Sequence, residues 1–230
     1  MGAPLSAWRG RHQLAFLWCA WNVIAFVGLV LASLVGIGIS ALWSLLASFA
    51  LAPDRSFYDL TLAGVLALGL SVPQYVVLRA FAGFKGGAVA AWIPLSVLIF
   101  VAEELIGLLW FHDTSGAVST FIDIIFWAAL ALAQGLLLAE MIHRRSAAFL
   151  WMAGMGAVFV TGWTLGVIGL GRMDLGDNIV VAFLIGAVML TVIYSGITGI
   201  FLAVAVRVST QTAPQAPVST GPAPAAGGLQ

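Results

Sequence analysis

Six apolar runs, each about as long as a lipid bilayer is thick, leave this chain little choice of fold. They span roughly residues 13–37, 58–81, 88–110, 120–142, 147–170 and 179–206. A helix needs about 20 apolar residues to cross the hydrocarbon core. A transmembrane barrel strand instead alternates apolar and polar residues over about 10 positions. These runs do not alternate, so the expected fold is all-α, a six-helix transmembrane bundle. Composition closes the alternative of a soluble domain. Only 8% of the 230 residues are charged, against roughly 25% in soluble proteins. Lipid must then serve as solvent for the outer surface, and backbone polar groups must be satisfied within each helix.

The basic residues set an expected orientation. With the N-terminus cytoplasmic, Arg9, Arg11, Arg79, Lys85, Arg144, Arg145 and Arg207 fall on the inner side, and only Arg55 and Arg172 fall outside. That bias follows the positive-inside rule. It places both termini in the cytoplasm and the protein in the inner (plasma) membrane as a multi-pass chain. Asp54, Asp59, Asp113, Asp174 and Asp177 fall in or beside the outer loops. The first apolar run is too long for the roughly 7–15-residue core of a signal peptide, so it reads as an uncleaved helix. Two regions lie apart from the six spans. Residues 39–52 read as a short half-buried helix at the outer face, broken from the first span near Gly36 and Gly38 with Ser40, Ser44 and Ser48 in one polar stripe, the alternative being a plain extension of helix 1 that protrudes beyond the membrane. Residues 208–230, rich in Pro, Ala, Ser and Thr, read as a disordered cytoplasmic tail beyond a membrane domain of 1–207.

An internal repeat is visible at the helix starts. A basic residue precedes a tryptophan by the same interval in RHQLAFLW (Arg11 to Trp18), KGGAVAAW (Lys85 to Trp92) and RRSAAFLW (Arg144 to Trp151). The even helices align VPQYVVLRAF with LAQGLLLAEM, pairing Gln74 with Gln134, and more weakly with GITGIFLAVAVR, which puts Thr198 at the glutamine position. The expected architecture is three repeated helical hairpins, about 12–82, 86–143 and 147–207. The segments around the glutamines resemble an A-x-x-Q-W/Y-x-x-L-R stretch of small uncharacterised bacterial polytopic membrane proteins, PQYVVLR fitting better than AQGLLLA. That resemblance implies a bacterial multi-helix membrane protein and carries no activity.

Against the repeat, one feature stands out. Glu103 and Glu104 lie about 13 Å inside the third span, counted from His112 at 1.5 Å per residue. In the repeat register their counterparts are Leu29 and Val30, and Gly162 and Trp163. A charge at that depth costs about 3 kcal/mol to insert, so an acid there needs a reason. The expected one is a proton- or cation-titrating site, with one acid facing the bundle and the other facing a second crevice or staying protonated. The bland alternative is a protonated acid bonded between helices. Further polar candidates are Asn22, Gln74, Asp123 and Gln134; each suits interhelical hydrogen bonding as well as ligand contact. Pro73 is expected to kink the second helix. Small-residue pairs Gly162/Gly166 and Ser195/Gly199 mark close packing of helices 5 and 6, on each other or on another subunit.

Other chemistries find little support. EELIGLL carries Leu108 where the E-E-x-x-x-R helix of intramembrane proteases has arginine. The histidines, His12, His112 and His143, sit at helix ends, Cys19 stands alone, and no phosphate-cradling glycine loop exists. No catalytic residue, metal site or cofactor is expected, and zero net charge gives no hint of nucleic acid. The tryptophans, including Trp18, Trp92 and Trp151, fit an interfacial aromatic belt. Two functions remain: transport or small-ligand binding centred on Glu103 and Glu104, or a non-catalytic accessory subunit docking through helices 5 and 6. The expected partners are membrane lipid and protein subunits.

Overall fold

The computed structural model describes residues 11–49, 51, 54–110, 116–168 and 179–211. Six helices follow one another: α1 (Arg11–Ser48), α2 (Arg55–Val76), α3 (Gly87–Trp110), α4 (Gly116–Ile142), α5 (Arg145–Ile168) and α6 (Ile179–Gln211), with a π-helical turn, Val77–Phe81, closing α2. Among the described residues there is no strand. Four elements, α1, α2 with its π turn, α3 and α4, are long and apolar enough to cross a membrane. Trp8, His112, Arg172 and the tail past 211 lie outside the described residues.

The helices form a closed ring. Each packs on its neighbours in the chain, and α1 returns to α6. Odd helices begin, and even helices end, at one end of the ring. Arg79, Lys85, Arg144, Arg145 and Arg207 gather at that basic end, whereas Asp54 and Asp59 stand at the other, acidic end. The core is concentrated toward the basic end, where Leu17, Val77, Leu78, Trp92, Leu138 and Leu202 are all fully buried. The outward faces carry exposed Phe16, Leu31, Leu98, Leu136 and Phe149, as an apolar solvent permits.

Helix α1 favours the second reading of 39–52, an extension of the first helix, over a separate broken-off helix. It runs unbroken for 38 residues, about 57 Å at 1.5 Å per residue. The helix accommodates the serine stripe without a break. Ser40 and Ser44 each donate to the carbonyl four residues back, and Ser48 to the one three back. Their hydroxyls are satisfied within the helix. Ser40 also shares a 2.7 Å hydrogen bond with Tyr58, and Trp43 stacks on Tyr58 at 5.3 Å, tying the extension to α2. Gly36 is buried against Leu62 rather than marking a break.

Each end of α2 has a local cause. Asp54 caps it, its carboxylate accepting from the Ser56 amide at 2.8 Å. That bond holds the Asp54 carboxyl below its ordinary value. At the far end Pro73 lacks the amide that would bond Gly69, and a π turn follows from Val77. The helix then closes in a widened turn, with Ala82 N–H bonded to the Val77 carbonyl and Phe84 N–H to that of Leu78. Between α4 and α5 the connection is tighter than the expected loop at 143–146. His143 adopts a left-handed φ of 57°, and Arg144 N–H reaches back to Ala139 carbonyl at 3.0 Å, a Schellman-type stop.

Helix α1 meets α2 at a glycine crossing. A Cβ on Gly28 would stand 2.0 Å from Pro73 Cγ, and one on Gly69 would stand 2.3 Å from Ala32 Cβ. No side chain fits either place. The close-packing expectation for α5 and α6 is corrected in detail. Gly199 packs on Trp18 and Trp21 of α1, not on α5. Helix α5 approaches α6 through Gly154, whose Cβ would meet the Phe201 ring at 2.8 Å, while Gly162 has nothing within 4 Å among the described residues. The surroundings of Gly166 lie outside the described residues. Helix α6 also continues to Gln211, past the expected end at 206.

Candidate functional site: an acid-lined cavity above a tryptophan plug

The ring is closed toward its basic end by three tryptophans, one from each odd helix. Trp21, Trp92 and Trp151 are all at or below 1% exposure. Trp151 stands edge-on to both others, with ring centroids 5.9 Å from Trp21 and 5.5 Å from Trp92. Such pairs add about 0.5–1.5 kcal/mol beyond their burial. This corrects the aromatic-belt expectation for Trp92 and Trp151, which face the bundle and not lipid. It also shifts the register of α1. Trp21, not Trp18, takes the central place; Trp18 is 38% exposed on the ring's outer side. Counted from Trp21, the α1 positions matching Glu103 and Glu104 become Ala32 and Ser33.

Each indole N–H donates to a side-chain oxygen on an even helix. Trp92 donates to Gln74 at 2.9 Å, Trp151 to Gln134 at 3.3 Å and Trp21 to Thr198 at 3.0 Å. The acceptors are the three residues that the sequence alignment placed together. Gln74 then donates to the Tyr194 hydroxyl at 2.8 Å. Gln134 donates to Ser96 at 2.9 Å, and Ser96 to the Trp92 carbonyl at 2.7 Å. All six helices are joined through these buried groups, α1 by the Trp21–Thr198 pair and the other five by the bonds around Gln74 and Gln134. Gln74 and Gln134, each 2% exposed, therefore spend their bonding capacity on protein partners. Asn22 belongs to the α1–α6 seam, accepting from Ser195 at 3.0 Å and donating to the Trp18 carbonyl.

Above the plug, toward the acidic end, the ring opens into a cavity of about 420 Å³. Glu103, Glu104 and Asp59 line it, with Phe100, Trp127 and aliphatic side chains of α2. Phe100, Glu103 and Glu104 fall at i, i+3 and i+4, one face of α3. The two glutamates therefore border the same cavity, which corrects the expectation that they face separate crevices. Their 100° separation spreads them around one rim instead. Asp123 of α4 is within electrostatic reach of Glu103, and Asp59 of Glu104. Asp59 also pairs with Arg55 at 3.8 Å, a contact with an exposed arginine that contributes little.

The arrangement has defined chemical limits. Among the described residues no three His, Cys, Asp or Glu gather closely enough to hold a metal ion. Separated carboxylates with aromatic rings between them suit a larger cation, attracted by charge and by ring faces. Ser33, one turn beyond Leu29 on α1, is buried and carries the one buried side-chain polar atom without a hydrogen-bond partner among the described residues. Sequence reasoning singled out Glu103, Glu104 and Asp123 but not Asp59, Phe100 or Trp127. Asp59 is one turn inside α2, and its sequence position reads as an outer-loop charge. Comparison with protein-family models, with curated proteins and with solved structures finds no match to this chain.

Proposed function

We propose that this is an integral membrane protein that binds a cationic solute, entering from the acidic end, in the cavity between α1, α2, α3 and α4. One observation carries the reading: Asp59, Glu103 and Glu104 line a single cavity together with Phe100 and Trp127. The carboxylates supply charge, the rings supply cation–π attraction of about 0.5–2 kcal/mol, and the aliphatic wall accepts an apolar body. An organic ammonium or phosphonium fits this lining; a bare metal ion lacks a ligand set. The basic-end charges support a cytoplasmic placement of both termini by the positive-inside rule, so the cavity would face outward across the plasma membrane. The same three tryptophan–oxygen pairs support descent from three hairpins, with Thr198 replacing a glutamine. We read the protein as a binder or transporter rather than an enzyme. Transport would require the tryptophan plug to part.

Binding of a lipophilic cation to the purified full chain, compared with Glu103→Gln and Glu104→Gln, tests the proposal. Substitutions that leave affinity unchanged would remove its basis. The second reading, an accessory subunit, draws on Gly162, whose surface on α5 is open among the described residues. Copurification of a stoichiometric partner that is lost in Gly162→Leu would favour it.

A further inference from the structure

The ring has one join that no loop secures, where α1 meets α6. Among the described residues, three side-chain hydrogen bonds cross it: Trp18 to the Gly196 carbonyl at 3.2 Å, Trp21 to Thr198, and Ser195 to Asn22. On the outer side of this seam, at the basic end, lies a groove of about 430 Å³ lined by Leu14, Trp18, Ile200, Val204 and Arg207, among others. Small residues make it. Ala15 of α1 and Ala203 of α6 are the small residues in its walls, and one turn before Ala203 the absent side chain of Gly199 lets the Trp18 and Trp21 rings press against α6.

We propose that this groove holds an anionic phospholipid, one acyl chain lying along the seam and the phosphate meeting Arg207. Geometry and charge point the same way. The groove opens outward, away from the plug, and Ile200 and Val204 on its wall are exposed, so its occupant comes from the lipid phase. Its walls are apolar and its single charge is a cation. Arg207 stands at the end of the ring that also carries Arg79, Lys85, Arg144 and Arg145. Arg207, the one charged residue of the groove wall among the described residues, favours a net negative headgroup over a zwitterionic one, whose ammonium it repels. An acyl chain in the groove covers the outer edge of the Trp18 contact and so favours the closed seam over an opened one. Lipid binding here is independent of the acidic cavity, which lies at the opposite end and inside the ring.

The test uses the full chain in mild detergent, titrated with phosphatidylglycerol or phosphatidylcholine and followed by native mass spectrometry and thermal unfolding. A retained phosphatidylglycerol adduct that raises the unfolding temperature more than phosphatidylcholine does is the expected result. Arg207→Gln should weaken phosphatidylglycerol binding about fivefold and remove the preference, Arg207→Lys should restore most of it, and Lys85→Gln should leave it intact. Ala203→Phe, which fills the groove, should abolish the adduct. Equal stabilisation by both lipids, or an unchanged preference in Arg207→Gln, would overturn the proposal. So would an adduct that survives Ala203→Phe in a protein whose unfolding remains cooperative.

Discussion

Single side chains decide how much of the bundle's interior is structural. Gln74 is the clearest case. Its oxygen takes the Trp92 indole and its nitrogen the Tyr194 hydroxyl, so Gln74→Leu strands two buried donors or acceptors at once. A loss of about 1–3 kcal/mol is expected, read as a lower midpoint in denaturant or thermal unfolding in detergent, with cation binding little changed. A ligand role for Gln74 would reverse that pattern. His143 makes the opposite point. Its left-handed backbone costs about 1 kcal/mol for a residue with a Cβ, and glycine removes that cost. His143→Gly should raise the unfolding temperature; a fall would mean that the imidazole has a task beyond the turn. The sequence marked Gln74 and Gln134 as polar residues in apolar helices but could not divide glue from ligand, because both uses need the same atoms. Trp21 was less legible still. An indole near the start of a membrane helix suits lipid and protein equally, and only the ring's closure put Trp21 inside and Trp18 outside.

At the scale of elements, apolar run length made all six helices legible, and the polar punctuation between them misled in places. Gly36 and Gly38 suggested a break in α1, yet the helix runs on to Ser48, with Gly36 packed on Leu62 and with Ser40 and Trp43 held against Tyr58. Small-residue spacing was just as ambiguous. Gly28 and Ala32, Gly69 and Pro73, and Gly162 and Gly166 all repeat at intervals of four, and sequence offers no way to rank them. The structure does. Gly28→Ala and Gly69→Ala should each destabilise by about 1–3 kcal/mol, since the new methyl meets Pro73 or Ala32 and the helices must part. Gly162→Ala should be neutral or stabilising by up to about 1 kcal/mol through helix propensity. Unfolding of the three variants side by side checks the ranking. A Gly162→Ala loss as large as that of Gly69→Ala would mean that this face is packed.

At the scale of the whole molecule, the ring is dense toward its basic end and open toward its acidic end. The plug and the cavity are two halves of that one asymmetry. Glu103 and Glu104 were visible in the sequence because an acid in an apolar span is costly and absent from the matching positions of α1 and α5. Their partners were not, because Asp59, Phe100 and Trp127 come from three helices and only tertiary packing brings them to one cavity. The central claim is that this cavity binds a cation through Glu103. The measurement that tests it most directly is equilibrium binding of tetraphenylphosphonium to the purified protein against Glu103→Gln, at neutral and at acid pH. The account predicts saturable binding at neutral pH that weakens as the carboxylates take up protons. It predicts about tenfold or greater loss of affinity in Glu103→Gln with the unfolding temperature maintained. Binding that is equal in the two proteins and indifferent to pH would contradict it.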